Sequence, residues 1–162
     1  MSRKTARQHA FHLIFTMPFN GVLDASKLAK IKAAYFDFLD DGETEDYGFE
    51  NLTRPRSRDA EYIDRAFWGV FERLSELDGV IENFLREWTI DRINKVDLAL
   101  MRLSIYEMLC EKDVPIGAAV NEAVELAKHY GSDDSPAFIN GVLGNVAREI
   151  QGNLRKPTVR IR

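Results

Sequence analysis

The sequence predicts an all-α protein, a compact bundle of about seven helices. Three observations predict it. Apolar residues recur at helical spacing in most of the chain, no segment alternates as a half-buried strand would, and Gly, Pro, Asn and Asp punctuate the pattern at helix-length intervals. At 162 residues the chain fits one domain, 1–162, long enough to bury about two-thirds of its unfolded surface without disulfides or metals.

The elements follow in order. Ala6, Ala10, Leu13, Ile14 and Met17 set a first helix from Arg3 to Met17, closed by Pro18 and Asn20-Gly21. A second runs from Ala25 to Leu39 with Leu28, Ile31, Tyr35, Phe38 and Leu39 inward. Between about 40 and 58, Gly42, Gly48, Pro55 and a reversal of charge read as a surface insertion. Tyr62, Ala66, Gly69 and Val70 predict a helix from about Arg58 to Leu74. Leu77, Val80, Ile81, Phe84, Leu85 and Trp88 predict the next, from Leu77 to Trp88 with Trp88 inward. Asn94 is placed to cap a strongly apolar helix, Val96 to Glu111, the expected centre of the bundle.

Pro115 suits the first turn of the helix that follows, and Gly131 is expected to close that helix in the left-handed region. Asp133 or Ser135 then caps the last helix, with Pro136 in its first turn and Phe138, Ile139, Val142, Leu143 and Val146 facing the core. Gly141 inside that helix is expected to permit close packing against a neighbour, because a helical Gly costs about 1 kcal/mol relative to Ala. The end, at about 153–162, reads as a flexible tail.

Composition excludes several classes. Hydrophobic residues at 45% and charged residues at 30% fit a soluble globular chain. Nothing approaches the ~20 consecutive apolar residues of a membrane span, and MSRKTARQ lacks a secretory apolar run, so a cytoplasmic location is expected. A lone Cys110 forms no internal disulfide, and His9, His12 and His129 are too scattered for a metal. A Gly-rich phosphate cradle, a His-Glu-x-x-His pair and a nucleophile-elbow Ser are all missing, so neither an enzyme nor a cofactor is expected.

The net charge of −4 hides an uneven distribution. Residues 37–50 hold seven acids and no base, which leaves +3 for the remainder. Arg3, Lys4 and Arg7 stand in a first dozen residues without an acid, and Arg148, Arg155, Lys156, Arg160 and Arg162 close the chain against one Glu149. Arg3 and Arg7, four apart, share a helix face with Lys4 beside it, and Phe11 and Phe15 follow on the adjoining strip. Cations on phosphates and aromatic rings under unpaired bases suit single-stranded RNA. The same features also fit a solvated helix end and two core phenylalanines.

A second region gathers at Lys128-His129-Tyr130-Gly131 and Asp133-Asp134-Ser135, where a helix end meets a helix start. Capping alone is the plainer account of Gly131, Ser135 and Pro136.

The run VNEAVELAKHYGSDDSPAFINGVL, with WTIDRINKVDLALMRLSIYEML upstream and SRKTARQHAFHLIF at the start, resembles the NusB family of bacterial transcription antitermination factors. The resemblance covers 3–17 and 62–146 and lapses between about 37 and 58. It implies an all-helical fold that binds boxA-type RNA of nascent ribosomal transcripts with the small-subunit ribosomal protein NusE, in an antitermination complex on RNA polymerase. Carried over by position, Arg3, Lys4, Arg7 and His12 fall on the basic first helix, and Tyr130, Asp134 and Phe138 on a second RNA-facing region, with Tyr130 or Phe138 under a base. Thr5 and Ala137 stand where the family often carries cations, which implies low unaided affinity and reliance on the partner. The resemblance is compatible with a homodimer as well as a monomer. Two alternatives stay open: a helical protein-interaction module without RNA affinity, and a module related to the amino-terminal domains of ribosomal RNA methyltransferases.

Overall fold

The computed structural model describes residues 3–17, 24–40, 55 and 57–155, with side chains up to 152. Among them are seven α-helices: α1 (Arg3–Phe15), α2 (Ala25–Asp40), α3 (Ser57–Glu72), α4 (Leu74–Asn83), α5 (Lys95–Cys110), α6 (Ile116–Tyr130) and α7 (Ser135–Arg155), with a 3-10 turn at Ile90–Arg92. Most of the expected insertion, and the tail beyond Arg155, lie outside the described residues. None of the described helices is long and apolar enough to cross a membrane.

The chain divides into two compact units, 1–67 and 68–162. In the first, the helical spacing of Ala6, Ala10, Leu13 and Ile14 buries all four completely on one side of α1. Leu28, Phe36 and Leu39 of α2 and Tyr62, Ile63, Ala66 and Phe67 of α3 complete this core. Polar groups tie it together: His9 Nδ1 lies 2.8 Å from the Tyr35 hydroxyl, and Lys32 pairs with Asp64.

In the second unit α5 is buried on every side, from Asp97 to Met108, and packs against α4, α6 and α7. Asn94 caps it as expected, its Oδ1 accepting the Val96 N–H at 2.8 Å. A helix buried all round must satisfy its own polar side chains. Arg102, 1% exposed, donates from Nε and Nη2 to the two oxygens of Asp78 on α4, each at 2.7 Å. Ser104 Oγ donates to the Ala119 carbonyl at 2.9 Å, and the Tyr106 hydroxyl to Glu111 Oε1 at 3.1 Å. Close to Tyr106, Gly69 leaves the space its ring occupies: a Cβ there would stand 3.0 Å from Tyr106 Cζ.

Four local expectations are corrected. α4 ends at Asn83, because only Leu77, Val80 and Ile81 of its apolar run are buried and the chain must turn to bring Ile90 inward; Trp88 is left 57% exposed. Pro115 stands in the position before α6, not within its first turn. Gly131 is extended, at φ −93° and ψ −174°, so its small size and not left-handedness is what the connection needs. A Cβ there would lie 2.6 Å from Ser135 Oγ and 2.8 Å from the Ala127 carbonyl oxygen. Finally, a Cβ on Gly141 would meet nothing within 4 Å, so this glycine faces open space instead of a packed neighbour.

Candidate nucleic-acid interface

Four of the expected site residues lie on α1, in the first unit. Lys4 is exposed. Arg3 is half-buried, its guanidinium carbon 4.5 Å from the centroid of the buried Tyr62 ring, a cation–π stack that fixes the charge in place. Arg7 is 6% exposed. Sharing a face with Arg3, four residues apart, carries it into the interior, so Lys4 and Arg3 are the cations of this trio that reach the surface. His12 is half-buried, its ring 5.2 Å from that of Phe11 and 6.3 Å from that of Tyr35. Of the two phenylalanines, Phe11 belongs to the core and Phe15 is 41% exposed.

The other three surround the connection between α6 and α7, in the second unit. Tyr130 is half-buried at the end of α6, edge-on to the His129 ring at 4.5 Å. The turn is closed by Ser135, 1% exposed, whose Oγ accepts the Ser132 N–H at 3.0 Å and lies 3.1 Å from Ser132 Oγ. Ser135 is thus the first residue of α7 with its side chain turned back into the connection. Asp134 holds the preceding position: its carbonyl accepts the Phe138 N–H at 3.1 Å and its side chain is exposed. Phe138, one turn further on, is half-buried.

Phe138 and Trp88 together border two neighbouring cavities. One, of about 390 Å³, runs along α7 past Gly141 and Asn145; the other, of about 270 Å³, reaches Asp134 and, at the start of α5, Asn94 and Asp97. Asp97 is 6% exposed. Burial pushes its carboxyl above the usual carboxylate range, against the opposing effect of a hydrogen bond from Ser135. Sequence reasoning missed both Trp88 and Asp97. A carboxylate inside an otherwise apolar helix, and the Thr89-Ile90 pair that disfavours continuing α4, were the available signals. Among the described residues no cluster of His, Cys, Asp and Glu could hold a metal ion.

Residues 4–148 match the model of the NusB family. The transcription antitermination protein NusB of Agathobacter rectalis is 38% identical over 147 residues, which span 91% of this chain and 100% of that one. Its counterpart in Bacillus pumilus is 36% identical over 151 residues, 93% of this chain and 98% of the relative. Among solved structures, NusB of T. maritima superposes with a TM-score of 0.73 at 32% identity, covering 92% of each chain. The fold is also that of a crystal structure of the antitermination factors NusB and NusE in complex with double-stranded RNA, with a TM-score of 0.69 at 23% identity over 91% of this chain and 96% of that one.

Proposed function

The chain belongs to the NusB family, and from that membership we propose that it is a transcription antitermination factor which binds boxA-type single-stranded RNA of nascent ribosomal transcripts together with the ribosomal protein NusE. The observation that carries this reading is the extent of the match: relatives named as antitermination proteins align over 91% and 93% of this chain and 100% and 98% of their own length.

Two chemically distinct surfaces divide the work. On α1, exposed Lys4 and the ring-stacked Arg3 neutralise phosphates and release counterions. In the second unit, Phe138 offers a half-buried ring for a base, with Tyr130 and Asp134 beside the same connection. Arg7 and His12 act from within α1 by holding the helix that presents Lys4 and Arg3. Such a footprint has few cations, so affinity comes largely from joint binding with the partner protein. The function needs no reacting group: the protein acts by assembly on RNA polymerase.

Binding of a fluorescent boxA RNA, with and without NusE across a salt series, tests this. Affinity should rise with the partner. Lys4→Ala should flatten the logarithmic salt slope by ~0.7, the value for one single-strand phosphate contact, at unchanged melting temperature. Arg7→Ala, at a buried position, should instead lower the melting temperature. Absence of boxA binding in the presence of NusE would refute the proposal.

A further inference from the structure

The second unit also has to meet the charge of an RNA backbone, and how it does so rests on the RNA-binding reading above. Tyr130, Asp134 and Phe138 include an acid and no cation, and the exposed Asp133 stands beside Asp134. A strand passing Phe138 brings one negative charge per nucleotide towards these carboxylates, and like charges repel. Cations must therefore face the strand from another wall. The two cavities that share Trp88 and Phe138 have such a wall, with one exposed arginine in each. Arg86 lines the larger, of about 390 Å³, and Arg92 the smaller, of about 270 Å³.

The fold accounts for neither arginine. Other cations of this unit are paired: Arg73 with Glu76, Arg102 with Asp78 and Lys128 with Glu125. The guanidinium groups of Arg86 and Arg92 make no hydrogen bond or ion pair among the described residues, although Glu87 and Asp134 line the same cavities. The Asp91 carboxylate next to Arg92 is engaged by the Thr89 hydroxyl. The backbone beneath Arg92 is nonetheless fixed. Its N–H donates to the Thr89 carbonyl at 3.0 Å, the Ile93 N–H donates to the Ile90 carbonyl at 3.2 Å, and Ile90, 2% exposed, anchors the turn in the core. A free charge on a fixed backbone suits an anion arriving from outside, and a guanidinium matches a phosphate with two parallel N–H bonds. We propose that Arg86 and Arg92 hold phosphates of the bound RNA, one on each side of the wall that Trp88 and Phe138 share. They position the strand without reading its sequence, since the phosphate is the same beside every base.

The test measures binding of a fluorescent boxA RNA to the full chain with NusE present, between about 50 and 200 mM salt. Each lost phosphate contact flattens the logarithmic salt slope by ~0.7. Arg92→Ala should therefore lose about 2.6-fold more affinity at the low end of that range than at the high end, and Arg86→Ala with Arg92→Ala about sevenfold more. Arg92→Lys keeps the charge and should keep the slope, whereas Arg92→Gln should behave as Arg92→Ala does. Melting temperatures should stay within about 2 °C of the parent, because both side chains are exposed. Replacing single phosphates of the RNA by uncharged methylphosphonates locates the contacts: a linkage whose neutralisation weakens the parent should cost the double variant nothing. An unchanged slope in the double variant, or the same methylphosphonate profile for it and the parent, would overturn the assignment while leaving RNA binding in place. Weaker binding of NusE by the double variant in the absence of RNA would overturn it in favour of a protein contact. Failure of boxA RNA to bind the parent with NusE present would remove the underlying reading as well.

Discussion

Cutting the Asp78–Arg102 pair should cost more than any surface ion pair in this protein. Arg102 is 1% exposed and Asp78 15% exposed, and both of the carboxylate's oxygens are engaged at 2.7 Å. In Asp78→Ala the guanidinium stays buried while losing the anion that holds two of its donor nitrogens. Removing one member of a buried pair costs about 3–5 kcal/mol, and the partial exposure of Asp78, which lets water in, favours the lower end. For a chain of this length each kcal/mol moves the melting temperature by roughly 2–4 °C, so a fall of about 6–12 °C is expected. Thermal unfolding followed by far-ultraviolet circular dichroism measures it. A double variant, Asp78→Leu with Arg102→Met, removes both charges and should recover most of the loss, since apolar replacements of buried pairs are often neutral. A single variant within about 2 °C of the parent, a shift worth roughly 1 kcal/mol or less, would refute this account. So would a double variant as unstable as the single one. The pair joins α4 to α5, and the segment carrying Trp88 is strung between those helices, so the single variant should also loosen the wall of the cavity that Trp88 borders.

Two further outcomes follow from the packing of α5. Gly69→Ala should lower the melting temperature by roughly 2–8 °C, because overpacking against the Tyr106 ring costs about 1–3 kcal/mol and exceeds a helix-propensity gain of at most ~1 kcal/mol; an unchanged or raised value would contradict the geometry. Asp97 gives a pH dependence of definite sign. A carboxyl whose folded pKa lies above its unfolded value of ~3.9 contributes stability below that value and loses it as pH rises through the folded pKa. Asp97→Asn should therefore gain stability relative to the parent as pH is raised from about 4 to 7, and a melting-temperature difference flat across that range would contradict it.

The helices were legible because their apolar residues recur with the right period, and Asn94 because a capping residue leaves a local mark. Periodicity fails where a face is apolar but not buried. Phe84, Leu85 and Trp88 continue the pattern of α4, and only the need to return Ile90 to the core turns the chain away at Asn83. Charge fails in a similar way. Nothing in the sequence says that Arg7 goes inward while Lys4 stays out, since the phase of α1 is set by what it packs on. Gly131 was recognisable as a necessary glycine for the wrong reason: its requirement comes from Ser135, four residues on, whose inward turn is a tertiary matter. Of the candidate site, Phe138 and Asp134 could be placed at a helix start from local pattern, whereas Trp88 and Asp97 come to the same cavity only through folding.

Ser135 has a hydroxyl oxygen with two neighbours on the side of the connection, the Ser132 N–H that it accepts at 3.0 Å and the Ser132 hydroxyl at 3.1 Å. Because that side chain is 1% exposed, the bond it makes to the backbone is sheltered from competing water. One small buried hydroxyl thus latches the α6–α7 connection onto the first residue of the last helix, and a chain that needs no ring or charge at this point keeps its two helices in step through it.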